Sequence, residues 1–189
     1  MEMMIATGAV LFLVFVLVAV YNGIVQRQHS VDQAWADVIA TQRQFEQVVP
    51  NIEVLSGNYS NYESGLLQAV VKLREALVDL KVEASASATG AVMQQAGELL
   101  KSIRLSVEAY PDLKANQLVQ TVMAEIARIQ DNVAAAVRIF NMNVASHNAG
   151  LEVFPNNVVN AALNKQKPFE PFRDELASSR FEYSPYINQ

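Results

Sequence analysis

The stretch that decides the fold is MMIATGAVLFLVFVLVAVY, residues 3–21, which is almost continuously apolar. No charged side chain occurs between Glu2 and Arg27. At about 1.5 Å of rise per residue, nineteen helical residues span roughly 28 Å, which matches the hydrocarbon thickness of a bilayer. The run therefore predicts one N-terminal transmembrane helix that tethers the rest of the chain to a membrane.

Other interpretations of this run fit less well. A cleaved secretory signal has a basic leader, a shorter apolar stretch and a small-residue cleavage site, and residues 1–25 show none of these clearly. A buried core helix seldom needs so long a charge-free segment. An interfacial helix carries a polar face, which this run lacks. No Lys or Arg precedes the run, whereas Arg27 and Arg43 follow it. The positive-inside tendency therefore favours an N-terminus outside and a cytoplasmic C-terminal domain.

The composition limits what the remaining chain can be. Roughly 165 residues follow the anchor, which is enough for one domain with a hydrophobic core. The formal charge of -5 argues against a nucleic-acid partner, because backbone phosphates require a basic face. The chain has no cysteine, which excludes disulfides, thiolate zinc sites and cysteine nucleophiles.

Behind the anchor, apolar residues recur every three or four positions, which is the spacing of one helix face. This pattern runs through residues 31–80, 92–107 and 118–144. Amphipathic helices joined by short turns can bury these faces only against one another. The predicted fold is all-α, an N-terminal transmembrane helix followed by an antiparallel (up-and-down) four-helix bundle. The gap between Tyr21 and Val31 contains no proline, so we expect the anchor to run into the first bundle helix without a break.

Proline, glycine and small residues predict where the bundle helices end. Pro50 predicts a kink or a helix restart, because proline lacks the amide donor and clashes with the preceding turn. The small residues 84–90 predict a connection between helices. Pro111 predicts the end of a helix, with Asp112 as the N-cap of the next one. Gly150 predicts the C-terminal end of that last helix.

The predicted organisation has three regions: the anchor (1–26), the helical bundle (27–150) and a Pro/aromatic-rich tail (151–189). The last forty residues hold four of the six prolines and four of the eight phenylalanines, so they cannot form a regular helix throughout. We expect residues 153–172 to pack across the bundle as a strap, the alternative being a mobile segment that binds another protein. Beyond about Ser178 we expect disorder.

Seven short motifs lie in order along the chain. They are YN (21–22), VDQAWADV (31–38), VPNI (49–52), YPDLKA (110–115), RIFN (138–141), FPNN (154–157) and KPF (167–169). Together they resemble the LemA family of bacterial membrane-anchored proteins, and the resemblance covers nearly the whole chain. It implies a single-pass protein of the bacterial cell membrane with a four-helix bundle and no general enzymatic activity. Residues 23–29 are poorer in basic side chains than is typical of the family.

Residues that could carry chemistry are few, and no catalytic, cofactor-binding or metal-ligating residue is predicted. His29 and His147 lie far apart and lack a metal spacing such as H-E-x-x-H, so we expect both to face solvent near helix ends. Glu63 lies on the apolar seam and Glu125 lies beside it. Carboxylates there usually snorkel or pair with arginine. The alternative is an envelope-associated hydrolase or metal-dependent enzyme that uses these bundle carboxylates.

Two motifs are candidate partner-binding or structural sites. They are Asp32, Trp35 and Asp37 on the first bundle helix, and Tyr110, Pro111 and Asp112 at the turn before the last helix. Trp35 lies on the apolar seam and is expected to be a core anchor. If the two aspartates face outward, they would form a partner-binding edge. The turn has a structural explanation as a helix end and cap, and a functional one as a docking loop.

The leading functional hypothesis is a non-enzymatic membrane-anchored interaction or scaffold module. The expected partners are the lipid bilayer, through residues 3–21, and other membrane or envelope proteins or a second copy of the chain. No nucleic acid and no cofactor are expected. Anchoring would act by raising the effective concentration of partners at the membrane surface.

Overall fold

The computed structural model describes residues 1–58, 64–109 and 116–172. Within these residues the chain forms helices and short connections without any strand, which confirms the predicted all-α class. The helices are α1 (Glu2–Gln42), α2 (Phe45–Asn58), α3 (Ser64–Val82), α4 (Ala86–Ala109), α5 (Gln117–Glu152), α6 (Asn156–Val159) and a π-helical turn (Asn160–Asn164).

Helix α1 joins the apolar run to the first bundle segment without a break, as predicted. Its 41 residues correspond to a length of about 60 Å. None of residues 1–23 is buried, although most of them are apolar. Among the described residues this is the one helix that is long and apolar enough to cross a membrane, judged by length and composition.

The helix restart lies at Phe45, five residues before the predicted position at Pro50. The amide of Arg43 still donates to the Ile39 carbonyl at 3.1 Å, but α1 ends at Gln42 and a turn follows. Pro50 lies inside α2, which begins at Phe45. Pro50 removes one backbone hydrogen bond from α2, but the helix continues through it to Asn58.

The connection between α3 and α4 is shorter than predicted, because it comprises only residues 83–85. The Ser85 hydroxyl accepts a hydrogen bond from the Ala88 amide at 3.1 Å and acts as the N-cap of α4. Residues 86–90, predicted as part of the connection, therefore form the first turn of the helix.

Helix α5 begins at Gln117 and is capped by Asn116. The Asn116 Oδ1 atom accepts a hydrogen bond from the Leu118 amide at 2.8 Å, which satisfies a donor that the helix itself leaves free. The predicted cap at Asp112 lies outside the described residues.

The chain divides into two compact units. Among the described residues, the first comprises residues 1–38 and 134–171, and the second comprises those within 39–133 together with Phe172. Within the first unit, Trp35 contacts Phe140. The apolar core of this unit consists of Ile24, Val31, Ala34, Val38, Phe140, Val144 and Val159. The predicted domain boundaries at residues 26 and 150 stay predictions.

The second unit contains α2, α3, α4 and the first half of α5. Helices α3 and α4 pack closely, and their three-residue connection makes them an antiparallel hairpin. The predicted apolar seams lie in its core, through residues such as Phe45, Leu73, Leu99, Ile126 and Val133. These residues confirm that the three- and four-residue spacing marks the buried helix faces.

Polar residues are also buried in that core, and Gln42 is one that lies at a gap in the apolar spacing. Gln42 is fully buried, and its Nε2 atom donates a hydrogen bond of 2.9 Å to the carbonyl of Thr89. Thr89 is also fully buried. The end of α1 is thereby tied to the first turn of α4 by a buried hydrogen bond, which the low local dielectric strengthens.

Candidate functional site

The first predicted motif lies on α1 in the first unit and is centred on Trp35. The indole is half-buried, and its ring centre lies 5.1 Å from that of Phe140 at an interplanar angle of 52°. Tilted aromatic pairs at this distance are favourable. Trp35 thus packs α1 against α5 and leaves part of its surface accessible to solvent.

Asp32 and Asp37 are both exposed on either side of this tryptophan. Five helical residues correspond to a rotation of about 140°, so the two carboxylates leave α1 in different directions. They do not form a single acidic cluster. Relative to Trp35, Asp32 lies about 60° around the helix and Asp37 about 160°, so only Asp32 leaves α1 on the same side as the partly exposed indole.

The second predicted motif, Tyr110, Pro111 and Asp112, lies outside the described residues. Its two explanations, a structural turn and a docking loop, both stay predictions.

Residues 153–171, which we call the strap, form part of the first unit, whereas residue 172 of the predicted segment belongs to the second. Asn148 of α5 holds the strap through two reciprocal hydrogen bonds to the backbone of Phe169. The Asn148 Nδ2 atom donates to the Phe169 carbonyl at 2.8 Å, and the Phe169 amide donates to Asn148 Oδ1 at 2.9 Å. One side-chain amide therefore satisfies both backbone groups of a residue that lies in no helix.

Two further asparagines fix the path of the strap. Asn156 Nδ2 donates to the carbonyl of Gly150 at 2.9 Å, and Asn160 repeats the reciprocal arrangement with the backbone of Gln166 at 2.8 and 3.0 Å. The π-helical turn ends at Lys165, which has a left-handed φ of 52°. The backbone amide of Lys165 donates a hydrogen bond of 2.7 Å to the Asn160 carbonyl. Side-chain amides thus supply the backbone pairing that regular structure would otherwise provide.

Replacing Asn148 by alanine is expected to release the strap. Both backbone groups of Phe169 lose their partner, which lowers the free energy of unfolding by about 1–3 kcal/mol. Limited trypsinolysis should then cleave faster after the exposed Lys165. Asn143→Ala is the matched control, because its Nδ2 atom bonds only to the Ile139 carbonyl of its own helix. Equal cleavage rates in the two variants would contradict the role assigned to Asn148.

His147 is buried beneath the strap, so the prediction that it faces solvent is wrong. Its side chain is 1% exposed, and its ring meets that of Phe169 edge-on at a centroid distance of 5.1 Å. Helix α5 continues for five residues beyond His147, and the strap then returns across the His147 side chain. The position of His147 near the end of a helix does not by itself indicate this burial. His29 is exposed, as predicted.

Gly150 lies within α5, which ends at Glu152, so the prediction that it terminates the helix is wrong. Because it has no side chain, Gly150 allows the side chain of Arg27 from α1 to approach closely. A β-carbon at this position would lie 3.1 Å from the Cδ atom of Arg27 and closer still to its Nη1 atom. The glycine therefore gives room to a long cationic side chain between two helices of the same unit.

The bundle carboxylates show ordinary surface chemistry where the structure describes them. Glu125 pairs with Arg128 through a hydrogen bond of 2.9 Å from the Arg128 Nε atom, as the sequence predicted for carboxylates beside the seam. This hydrogen bond holds the pKa of the Glu125 carboxyl below its usual range. Glu63 lies outside the described residues. Within the described ranges, no group of three His, Asp or Glu side chains is placed to hold a metal ion.

Neither the role of the asparagines that hold the strap nor the burial of His147 was predicted from the sequence. A signal for the asparagines does exist in the sequence. Seven asparagines fall between residues 141 and 164. Asparagine is unfavourable in helix interiors because its side chain competes for backbone hydrogen bonds, so such a concentration indicates local side-chain to backbone pairing. No comparable pattern marks His147, whose burial depends on the returning strap.

Comparison with known proteins gives matches that cover most of the chain. The model of the family described as the LemA family matches residues 34–181, from the segment of α1 that holds Trp35 through the strap and beyond. A curated protein named Protein LemA, from Metamycoplasma hominis, is 25% identical over 150 residues. That alignment covers 79% of this chain and 68% of the relative. The family match begins after the apolar run.

Proposed function

The chain belongs to the LemA family, and from this premise we propose that it is a non-enzymatic, membrane-anchored helical-bundle protein. It acts as an interaction or scaffold module at the bacterial cell membrane. The observation that carries the proposal is α1, in which an exposed apolar segment continues without a break into a helix packed within the first unit.

The exposed face of α1 supports the anchor on energetic grounds. Large side chains such as Leu11, Phe12 and Phe15 are each about two-thirds exposed in the isolated chain. Soluble proteins rarely expose contiguous apolar surface of this extent, whereas a bilayer buries it. Because the helix runs on through Val31 and Val38, which lie in the core, the anchor and the first unit share one rigid element.

An anchor of this kind acts by confinement. A module held at the membrane meets other membrane-bound proteins at a high effective concentration, so weak contacts suffice for association. The surface we assign to such contacts is the part of α1 that carries Asp32, Trp35 and Asp37. It offers a partly exposed aromatic ring with the exposed carboxylate of Asp32 on the same side of the helix, and aromatic residues are enriched in protein interfaces. The partner is another membrane or envelope protein or a second copy of the chain.

The environment of Glu125 supports a non-enzymatic role, because the alternative, a hydrolase or metal-dependent enzyme, depends on bundle carboxylates such as this one. Glu125, the described candidate for a hydrolase or metal-dependent enzyme, is bound to Arg128 at the surface of α5. The pKa of its carboxyl is lowered by that bond, whereas a general acid requires a raised one.

Photocrosslinking in intact membranes tests the interaction surface. A photoreactive amino acid is placed at Asp32 or at Asp37 of the full chain at native abundance, and at the exposed Val82 of the second unit as a control. Light-dependent adducts of defined mass are expected from the two α1 positions and not from Val82. Recovery of the monomer alone from both α1 positions would overturn the assignment.

The cytoplasmic placement of the bundle is tested by thiol labelling, since the chain has no cysteine of its own. We expect Met142→Cys, at an exposed site of α5, to resist an impermeant reagent added to intact cells and Glu2→Cys, just before the apolar run, to react. Labelling of Met142→Cys from outside would reverse the orientation. The basis is the pair of arginines that follow the anchor, with none before it.

A further inference from the structure

The strap carries large apolar side chains on its outer side although it packs well on its inner side. Val153, Phe154, Val158 and Leu163 are 53%, 82%, 57% and 50% exposed. We call these four residues the apolar edge. Val159, by contrast, is 9% exposed within the core of the first unit. The segment is therefore amphipathic, and at least half of the surface of each side chain of its apolar edge is left uncovered by the described residues.

A direct contact places this segment beside the end of the anchor. The Nδ2 atom of Asn164 makes a long hydrogen bond of 3.4 Å to the carbonyl of Tyr21, which is the last residue of the apolar run. The run is as long as the hydrocarbon layer is thick, so Tyr21 lies where the helix leaves the bilayer. Tyrosine is enriched at that level in membrane proteins.

The helix register leads independently to the same level. Trp35 of α1 lies opposite Phe140 of α5, and Arg27 lies opposite Gly150, so the two segments are antiparallel. Arg27 is six residues, or about 9 Å, from Tyr21 along α1. Helix α5 advances two more residues toward that level before it ends, and the strap begins there.

We propose that the apolar edge of the strap inserts into the interfacial region of the membrane beside the anchor. The occupant of this surface is lipid, at the boundary between headgroups and acyl chains. Amphipathic segments bind there by burying apolar side chains while polar groups stay in the headgroup layer. The exposed Lys165 and Lys167 follow the edge, where their ammonium groups can reach lipid phosphates. The inference rests on the proposed anchor, since the edge reaches lipid only if the apolar run spans the bilayer.

Depth-dependent quenching tests this placement in the full chain. Single-cysteine variants Phe154→Cys and Val158→Cys carry an environment-sensitive fluorophore in vesicles of phosphatidylethanolamine and phosphatidylglycerol. Nitroxide groups are placed either near the lipid headgroup or deep in the acyl chain. Met142→Cys is the matched control, because Met142 is 71% exposed in the same unit but lies eight helical residues, or about 12 Å, further from the Tyr21 level than Gly150 does. Val18→Cys reports on the anchor itself.

We expect the shallow nitroxide to quench most of the fluorescence at positions 154 and 158 and little of it at position 142. The label at position 18, about 4.5 Å inside the Tyr21 level, should be quenched by both nitroxides. Quenching at 154 and 158 no stronger than at 142, with position 18 still quenched, would overturn the inference and leave the anchor standing. Loss of quenching at position 18 as well would overturn the proposed function and the inference together.

Discussion

The double substitution Phe12→Asp and Phe15→Asp is expected to move the protein from the membrane fraction to the soluble fraction. Eleven Leu, Ile, Phe and Val residues within residues 3–21 favour insertion by about 3–7 kcal/mol in total. Each aspartate near the helix centre opposes insertion by about 2.5–3.5 kcal/mol, and each lost phenylalanine removes a favourable contribution. The sum is close to zero or unfavourable, so the span no longer holds.

Carbonate extraction followed by sedimentation measures this effect. The matched control is Val71→Asp with Val78→Asp, because these valines are also large, apolar and about half exposed, but they lie on α3 in the second unit. This control should sediment with the membranes as the parent chain does. Sedimentation of the Phe12/Phe15 variant with the membranes after carbonate treatment would show that residues 3–21 do not form the anchor.

Periodicity and length were sufficient to predict the helices, because both are local properties of the chain. The apolar residues of the seams, from Val31 to Val144, are spaced so that a helix places them on one face, and that face is the one buried. The continuity of α1 likewise follows from the absence of proline between Tyr21 and Gln42.

Positions whose environment depends on a neighbouring segment were not predictable in the same way. Gln42 was passed over as a polar gap in the seam, yet the carbonyl of Thr89 allows it to be buried. Glycine is common at helix ends, yet Gly150 lies inside α5, where its lack of a side chain leaves room for the Arg27 side chain. In each case a contact distant in sequence outweighs the local preference of the residue.

The candidate site shows the same division. Trp35 was expected to be a core anchor from its place on the seam; its ring contacts that of Phe140, but its side chain is only half-buried. The strap was predicted from its aromatic and proline content, but its means of attachment was not. Attachment depends on the side-chain amides of Asn148 and Asn160, which meet backbone groups 21 and 6 residues away along the chain.

Phe45→Ala is expected to have the largest effect on stability of any single truncation considered for this chain. Phe45 begins α2, is 0% exposed and heads the fully buried side chains in size. Truncating a buried phenylalanine to alanine costs about 3–5 kcal/mol through lost burial and the cavity that remains. Typical domains have a free energy of unfolding of only about 5–15 kcal/mol, so the variant should unfold at markedly lower temperature or denaturant concentration. Circular dichroism of the detergent-solubilised full chain measures the shift.

A matched control distinguishes the burial of Phe45 from the mere removal of a large apolar side chain. Leu105 is also a large apolar residue in the second unit, but it is 54% exposed on α4. Leu105→Ala should change the free energy of unfolding by less than about 1 kcal/mol, because no enclosed cavity forms and alanine favours the helix. If the Leu105 variant were destabilised as strongly as the Phe45 variant, the exposed face of α4 would have to be buried in the folded protein. The core of the second unit would then extend beyond the described helices, whereas a large difference between the variants places that core where Phe45, Leu73 and Leu99 lie.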